Sequence, residues 1–198
     1  MVSALADATL ENGQAFVYIL LSGGMDSAAC VRYYSSLGRT MRAVFVDYGQ
    51  AAAHLELASA RAVARHYGVA LDEMSVVGPR AFAVGEVPGR NALLVIAAAM
   101  CFPERSGVIA LGIHAGSPYY DCTPRFVEAM NTILDGYTDG RVRCEAPFVE
   151  WGKADVWNYC QETAVPVALT YSCEAGQNPP CGRCLSCLDR RDLDACEA

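Results

Sequence analysis

The chain has 198 residues, of which 53% are hydrophobic and 19% charged, a balance typical of one ordered globular domain with or without a small appendage. Its formal net charge of −7 argues against stable binding to DNA or tRNA, since proteins that hold phosphate backbones usually present a basic face. This argument concerns the net charge of the whole chain, and a candidate local basic patch remains at Arg183, Arg190 and Arg191.

The longest apolar run, residues 92–102, is shorter than the roughly 20 residues of a membrane-spanning helix. No Lys or Arg precedes Arg32, so the positively charged start of a secretory signal is missing. We therefore predict a cytoplasmic protein without a membrane partner.

Short apolar runs alternate along the chain with segments of helical periodicity. The runs over residues 16–21, 42–49 and 106–114 predict strands that are covered on both faces of a parallel sheet. The predicted helices are residues 26–37, 52–67, 91–101, a segment that starts after Thr123, and 153–163. This alternation predicts an α/β fold with a mostly parallel sheet and helices on both faces, in which ligands bind at the carboxyl ends of the strands.

Two of the predicted helices have an identifiable apolar face. The helix over 52–67 has Leu55, Ala58 and Ala62 on one face, and the helix after Thr123 has Val127, Met130 and Leu134 as its buried stripe. Thr123 is the predicted N-cap of the latter helix, with Pro124 at its first helical position.

The stretch "LLSGGMDSAACV", residues 20–31, joins the first predicted strand to the first predicted helix. Gly23 and Gly24 have no Cβ, so phosphate oxygens can approach the main chain, while Ser22 and Ser27 can donate from their hydroxyl groups. The N–H groups and the dipole of a helix N-terminus favour an anion at this point. The loop has no lysine and therefore does not match the Walker A pattern.

The pattern S-G-G-x-D-S instead resembles the pyrophosphatase loop (PP-loop) of N-type ATP pyrophosphatases, which split ATP between the α and β phosphates and adenylate a substrate. In this resemblance Asp26 supports the loop or a magnesium ion. The loop residues implied to hold ATP are Leu21, Ser22, Gly23, Gly24, Met25, Asp26 and Ser27, with Ser22, Asp26 and Ser27 as catalytic candidates. The alternative is a plain glycine turn between a strand and a helix; the complete hexapeptide after a hydrophobic strand favours the phosphate loop.

Four of the ten cysteines crowd together with the spacing C-x7-C-x2-C-x2-C. They are Cys173, Cys181, Cys184 and Cys187. Four thiolates can bind zinc tetrahedrally, and the Pro- and Gly-rich sequence between them favours a metal loop over four merely buried cysteines. A Cys-x-x-Cys redox pair would leave two thiols unexplained, whereas an iron–sulfur cluster stays open because spacing separates it poorly from structural zinc. The scattered cysteines Cys30, Cys101, Cys122, Cys144, Cys160 and Cys196 are predicted to be small core residues.

With both motifs placed, the chain resembles the 7-cyano-7-deazaguanine synthases of queuosine-precursor biosynthesis over residues 16–191. The resemblance rests on the motifs "LSGGMDS", "FVDYGQ", "VPGRN", "YYDCTPRF", "WGKADV" and "TYSCEAG" with the following cysteines. It implies an adenine nucleotide alpha hydrolase-like domain over residues 1–165 and a zinc-binding segment over 166–198. It also implies a C–N ligase that uses ATP, magnesium and ammonia to convert a 7-deazaguanine carboxylic acid to an amide and then to a nitrile.

The resemblance further implies roles for residues outside the phosphate loop. Asp47 and Tyr48 would lie beside the nucleotide, and Lys153 would stabilise charge on the phosphates. The implied substrate-binding residues are Gln50, Arg90, Asn91, His114 and Asp121, of which Asp121 could accept hydrogen bonds from a guanine-like base. For Arg90, Asn91, Lys153, His114 and Asp121 a purely structural role is the alternative.

Departures from the family pattern fall mostly on the presumed acceptor side. Ala51 and Ala52 stand where the family usually has arginine and histidine, and Thr123 stands where it usually has arginine. The loss of arginines weakens recognition of a free carboxylate, so a relative from antiphage systems that joins a deazaguanine acid to a protein amine is an alternative.

Two further alternatives are a tRNA-thiolation enzyme and a non-catalytic partner subunit stabilised by zinc. The acidic charge argues against the first of these. The apolar segment over residues 91–102 is a candidate surface for a homodimer, although no feature of the sequence proves one.

Overall fold

The computed structural model describes residues 15–76, 78, 82 and 85–195. Within these residues the strands are β1 (Val17–Leu20), β2 (Met41–Asp47), β3 (Ala70–Ser75), β4 (Gly107–Ala110) and β5 (Val142–Glu145). The α-helices are α1 (Met25–Ser36), α2 (Ala53–Tyr67), α3 (Arg90–Met100), α4 (Pro124–Thr138), α5 (Lys153–Glu162) and α6 (Leu185–Ala195). Short 3-10 turns occur at Tyr120–Cys122 and Val167–Leu169.

The five strands form one parallel sheet in the order β3-β2-β1-β4-β5. In the central strand, Val17 and Ile19 contribute to a core with α1, α2 and α5, whereas Tyr18 and Leu20 contribute to a core with α3 and α4. This alternation follows from the period of two along a strand. The predicted α/β fold, with a parallel sheet and helices on both faces, is confirmed.

The predicted elements agree with the structure except at the sheet edges and the C-terminus. The strand predicted over 106–114 ends at Ala110, and the chain continues as a loop to His114. The edge strands β3 and β5 escaped prediction because their sequences, ALDEMS and VRCE, are partly polar as edge strands allow. Helix α6 also escaped prediction because its first residues overlap the cysteine motif.

The predicted N-cap of α4 is confirmed, whereas the buried residues of α2 differ from the three apolar residues that periodicity places on one face of it. The Thr123 hydroxyl accepts a hydrogen bond from the Phe126 N–H, and Pro124 opens the helix. The buried residues of α2 are Ala60, Val63 and Ala64, whereas Leu55 and Ala62 are half-buried and Ala58 is exposed. Alanines occur on several sides of this helix, so periodicity alone does not identify its buried face.

Most of the scattered cysteines are core residues as predicted. Cys30, Cys122, Cys144 and Cys160 are buried. Cys101 is exposed, against the prediction, because it follows the last turn of α3 at the helix C-cap. Cys196 lies outside the described residues. Among the described helices, none combines the length and the apolar character that a membrane crossing requires.

The C-terminal segment contacts the sheet-bearing part of the chain at the phosphate loop. The Tyr171 N–H donates to the Gly23 carbonyl oxygen at 3.0 Å. Gly176 has φ +63°, and a Cβ there would lie 2.3 Å from the Ala51 carbonyl oxygen, so this approach requires glycine. The domain boundary between residues 165 and 166 stays a prediction.

Candidate active site

The predicted phosphate loop follows β1 and opens α1. Gly24 is the N-cap in an extended conformation, and within the described part of the chain no side chain caps this helix. The first-turn N–H groups of a 12-residue helix are therefore available to an anion. The Ser22 and Ser27 hydroxyl oxygens lie 3.2 Å apart, and the Ser27 hydroxyl donates to the Gly24 carbonyl at 2.9 Å. The loop thus gathers hydroxyl and amide donors at the carboxyl end of the central strand.

Gly23 has a packing role in addition to its place in the loop. It has φ +85°, and a Cβ would lie 2.3 Å from the Glu56 carbonyl oxygen and 2.9 Å from the Ala60 nitrogen. Both atoms are backbone of α2, so neither can move without displacing the helix. The glycine therefore permits α2 to pack directly on the phosphate loop.

We expect Gly23→Ala to destabilise the fold by about 3 kcal/mol or more, because it combines a left-handed backbone with a clash against helix backbone. Nucleotide binding should fall with it. Gly38→Ala is the matched control, since Gly38 has φ +65° with nothing within 4 Å of its added Cβ. That control should cost about 1–2 kcal/mol. Urea unfolding of both variants measures the difference, and equal losses would show that close packing at Gly23 is unimportant.

Lys153, the first residue of α5, forms an ion pair with Asp26 of the phosphate loop. Its Nζ lies 2.8 Å from each carboxylate oxygen of Asp26, and both side chains are about one quarter exposed. Asp26 is thus the counter-ion of Lys153 in this arrangement, and both of its oxygens are engaged. The predicted pairing of Asp26 with a magnesium ion would compete with this contact.

His114 lies on the other side of Asp26, with its Nε2 3.7 Å from Asp26 Oδ2. The Gly116 N–H donates to His114 Nδ1 at 3.0 Å, which leaves the proton of the neutral ring on Nε2, facing Asp26. Burial lowers the pKa of His114 below its ordinary value, while the Asp26 charge acts against this shift. Gly112 permits the approach of the two segments, since a Cβ there would lie 2.4 Å from the Asp26 carbonyl oxygen.

One cavity of ≈ 350 Å³ joins the phosphate loop to the presumed acceptor side. The predicted site residues that line it are Leu21, Ser22, Gly24, Met25, Asp26, Ser27, Tyr48, Gln50, Arg90, Asn91, His114, Asp121 and Lys153. Gly23 and Asp47 are absent from its lining. Gly23 faces α2, and Asp47 Oδ1 accepts from the Gly49 N–H at 2.9 Å and so shapes the turn after β2.

The acceptor side of the cavity contains a cluster of mixed charge. Gln50 Nε2 donates to Glu56 Oε2 at 2.9 Å, and the Tyr48 N–H donates to Gln50 Oε1 at 2.9 Å. Burial raises the pKa of the Glu56 carboxyl, while the hydrogen bond from Gln50 and the charge of Arg90 act in the opposite direction. Burial also raises the pKa of Tyr48, against the effect of Arg90. Arg90 is therefore the cationic group that this half of the cavity holds near the half-buried carboxylate of Glu56.

Asn91 and Asp121 connect α3 to the turn before α4. Asn91 Nδ2 donates to the Asp121 carbonyl at 2.9 Å, and the Asn91 N–H donates to Asp121 Oδ2 at 3.2 Å. Arg90 Nε donates to Asn91 Oδ1 at 3.2 Å, and Asn91 is 4% exposed. These contacts give Asn91 a structural role that positions Arg90 at the cavity wall.

Several cavity residues were missed by sequence reasoning. They are chiefly Glu56, Phe82, Glu174, Asp189 and Arg190. Glu56 is on α2 six residues after Gln50, and an acidic residue at that distance carries no recognisable spacing. Asp189 and Arg190 lie on α6, whose existence was itself missed. Only the position of α6 at the wall of the cavity reveals them.

The four cysteines of the C-terminal motif meet in one cluster. Their Sγ atoms all lie within 4.8 Å of one another, and Cys181 Sγ is 3.9 Å from Cys187 Sγ. A tetrahedral zinc ion with Zn–S bonds of about 2.3 Å requires Sγ–Sγ distances of about 3.8 Å, so the cluster fits such an ion after small movements. Among the described residues it is the only group of three or more side chains that could hold a metal ion.

Backbone hydrogen bonds prepare part of this cluster for thiolates. The Cys181 N–H donates to Cys173 Sγ at 3.3 Å, and the Cys184 N–H donates to Cys181 Sγ at 3.4 Å. Burial acts to raise the pKa of Cys173, but backbone N–H groups outweigh it and lower the pKa to about 6. Cys187 shifts the other way, because burial and neighbouring thiols raise its pKa. The cluster could therefore hold a metal ion through deprotonated sulfur.

Known proteins similar to this chain point to one enzyme family. A family model described as queuosine biosynthesis protein QueC matches residues 16–84 and 77–194. The 7-cyano-7-deazaguanine synthase of Brucella anthropi is 32% identical over 203 residues, covering 88% of this chain and 86% of the relative. That of Aquifex aeolicus is 32% identical over 208 residues, covering 89% and 94%. These names indicate that the relatives are enzymes that make 7-cyano-7-deazaguanine.

Two solved structures share the fold. The U34-tRNA thiolase NcsA of Methanococcus maripaludis, solved with its [4Fe-4S] cluster, has a TM-score of 0.59 at 15% identity and covers 94% of this chain and 66% of its own. A predicted subunit of tRNA methyltransferase from Methanocaldococcus jannaschii has a TM-score of 0.51 at 13% identity, covering 74% and 76%. At these identities the likeness concerns the fold alone. The family match and the two synthase relatives, together with the predicted phosphate loop and cysteine cluster, show that this chain belongs to the QueC family of queuosine biosynthesis proteins.

Proposed function

We propose that the protein is an adenylate-forming C–N ligase that converts a 7-deazaguanine carboxylic acid to 7-cyano-7-deazaguanine with ATP and ammonia. The observation that carries this proposal is the single cavity between the uncapped N-terminus of α1 and the Tyr48–Arg90 side. A nucleotide on the phosphate loop and an acid beside Arg90 would face each other in it. Membership of the QueC family supports the identity of the acid.

The chemistry explains why ATP is consumed. A carboxylate resists attack by ammonia because its leaving group would be oxide. Attack of the carboxylate oxygen on the α-phosphorus of ATP forms an acyl adenylate and releases pyrophosphate, and ammonia then displaces AMP to give the amide. Activation of the amide oxygen by a second ATP, followed by loss of AMP and a proton, gives the nitrile. Each step develops charge on phosphate oxygens, which donors fixed before the reaction can stabilise.

The proposed role of each residue follows from its position in the cavity, either at the phosphates or at the acid. Ser22, Ser27 and the amide groups of the loop would hold the phosphates, and Lys153 would stabilise the charge that develops there. Asp26 keeps Lys153 at the loop before the nucleotide arrives. On the other side, Arg90 would bind the acid, while Gln50 and Asp121 would contact its base.

The proposed metal ions are magnesium, bound together with ATP, and zinc, bound by the cysteine cluster. Magnesium usually binds through one or two carboxylates together with substrate phosphates, so it would enter with ATP and use few protein ligands. The cysteine cluster would hold structural zinc. Its compactness supports one ion over a [4Fe–4S] cluster, in which each thiolate binds a different iron and the sulfur atoms must lie further apart.

The assay that tests the proposal supplies the protein with 7-carboxy-7-deazaguanine, ATP, magnesium and ammonium. Mass spectrometry should find AMP, pyrophosphate, the amide and the nitrile. AMP without any product from the acid, or phosphate released only from the outer end of ATP, would contradict the proposal. Product formed only with tRNA would instead identify a thiolation-type enzyme, and a lack of any ATP turnover would favour a non-catalytic partner subunit.

A second candidate function is the coupling of a deazaguanine acid to a protein amine. The observation that favours it is the loss of basic side chains at positions 51 and 52: Ala51 is exposed at the cavity and Ala52 is buried. Thr123, the other departure, caps α4 and is not part of the cavity lining, so it bears less on the acceptor. Product formed with a protein amine but not with ammonium would establish this function.

We expect Arg90→Gln to raise the KM for the acid at least tenfold, because a planar guanidinium pairs with a carboxylate through two charge-assisted hydrogen bonds. The KM for ATP should change less than about twofold, since Arg90 interacts with Asn91, Tyr48 and Glu56 on the acceptor side of the cavity. Arg125→Gln removes an exposed arginine of α4 outside the cavity lining and serves as the control. Steady-state kinetics with each substrate varied separately measure both constants. A rise in the KM for ATP alone would assign Arg90 to the nucleotide.

A further inference from the structure

Arg190 of α6 is a cavity residue that the proposed function does not use. It lines the cavity, and its guanidinium carbon lies 5.2 Å from the ring centroid of Trp157, which is buried in α5. Trp157 follows Lys153 by four residues, so the two side chains lie on the same face of α5, one turn apart. Lys153 in turn binds Asp26 in the phosphate loop. Arg190 therefore contacts α5 at Trp157, one helical turn after Lys153.

The same charged groups also act on the buried thiol of Cys160 in α5. Burial raises the pKa of the Cys160 thiol to about 12. Asp26 acts in the same direction, while Lys153 and Arg190 both act to lower that pKa. Asp26, Lys153 and Arg190 come from three separate parts of the chain, and all three act electrostatically on Cys160 of α5.

Helix α6 is anchored at the end that precedes Arg190. Cys184 and Cys187 of the cysteine cluster lie at its start. The Ser186 N–H and hydroxyl group both donate to Glu174 Oε1, at 3.1 and 2.8 Å. Arg190 follows Cys187 by three residues, about one turn. The cysteine cluster and Arg190 consequently lie close together at the same end of α6.

The phosphate side of the cavity needs a further positive charge. A triphosphate brings several negative charges, whereas Lys153 supplies one positive charge that Asp26 partly offsets, and burial lowers the pKa of His114. Arg90 is on the opposite side, beside Tyr48 and Glu56. Besides Lys153, Arg190 is the cavity cation that contacts α5, through the ring of Trp157.

We propose that Arg190 binds the phosphates of ATP beyond the α-phosphate, so that the helix anchored by the cysteine cluster supplies a nucleotide-binding side chain. The inference rests on the proposed function, because it assumes that ATP occupies the phosphate loop. It gives the C-terminal segment a direct part in substrate binding in addition to structural support. A guanidinium suits this task because it presents several donors in a plane while its face remains stacked on Trp157.

The test compares two ligands that differ in the outer phosphates. Calorimetry with the full-length, metal-loaded protein and magnesium measures Kd for AMP and for α,β-methylene-ATP, which cannot be split between its α and β phosphates. Arg190→Gln should raise the Kd for the triphosphate analogue at least tenfold and that for AMP less than about twofold. Arg190→Lys should give an intermediate loss. The control is Arg191→Gln, which removes a neighbouring exposed charge that pairs with Asp192. It should change both constants less than about twofold.

Several results of these binding measurements would overturn the inference. Unchanged affinity of Arg190→Gln for the analogue, or equal weakening of both ligands, would overturn the inference and leave Arg190 as a packing residue. If the Gln variant loses its metal, Arg190→Lys decides the question, and equal weakening of both ligands in that variant would likewise overturn the inference. A wild-type protein that fails to bind the analogue would overturn the inference and the proposed function together. Wild-type binding with an unaffected Arg190→Gln variant would overturn the inference alone.

Discussion

Lys153→Met should lower the rate of adenylate formation by about 10²- to 10³-fold, the largest single effect that we expect from a point substitution in the cavity. The variant removes a cation and also leaves the Asp26 carboxylate unpaired next to the phosphates. In the wild type, Lys153 Nζ contacts both oxygens of that carboxylate at 2.8 Å. Single-turnover measurement of AMP release from ATP and the acid gives the rate of this step.

The same pair predicts non-additive behaviour. Asp26→Asn should reduce the rate less than Lys153→Met, since it leaves the lysine in place. The double variant should be no slower than Lys153→Met, because the repulsion between Asp26 and phosphate is then absent. Glu73→Gln breaks the exposed Arg61–Glu73 pair and should leave the rate unchanged within twofold. A Lys153→Met variant with the wild-type rate would remove Lys153 from the proposed mechanism.

Cys184→Ser should abolish tight metal binding and destabilise the protein by more than about 3 kcal/mol, since structural metal sites contribute directly to folding free energy. Cys184 is buried in the cluster at the start of α6. Loss of the metal should therefore also loosen α6, which lines the cavity that contains the phosphate loop. Elemental analysis and thermal unfolding measure the two effects, and calorimetry with a nucleotide measures the third.

Cys101→Ser is the matched control because Cys101 is exposed and lies outside the cluster. It should keep the wild-type metal content and melting temperature. Zinc in the wild type, without iron or sulfide, would confirm the proposed ion, whereas iron with sulfide would replace it by an iron–sulfur cluster. A Cys184→Ser variant with unchanged metal content and stability would show that this thiol is not a ligand.

A homodimer through residues 91–102 stays a prediction. Met100 is 82% exposed on this segment and Leu93 is partly exposed, which agrees with a free apolar surface but identifies no partner. The roles of the individual site residues are likewise predictions. Their positions in the structure nevertheless separate residues that line the cavity from those, such as Asp47, that shape its turns.

Short-range features were predictable from the amino-acid sequence because their chemistry depends on neighbouring residues. The phosphate loop is a hexapeptide between an apolar strand and a helix, so its glycines and hydroxyl groups are placed by local geometry alone. The cysteine cluster spans 15 residues of chain, and its Cys-x-x-Cys turns bring thiols together in almost any fold. The buried strands β1, β2 and β4 are apolar throughout most of their length, which makes their place in the sheet evident.

Long-range packing decided the rest of the site. Lys153 and Asp26 are 127 residues apart, and only the meeting of α5 with α1 makes them an ion pair. The edge strands and α6 carry patterns too polar or too short to identify, and with α6 the cavity gains Asp189 and Arg190. Sequence alone determined the fold class, the phosphate loop and the thiol cluster, because each follows from local spacing. The tertiary structure decided which charges face the loop, because side chains from distant segments become neighbours only when the helices pack.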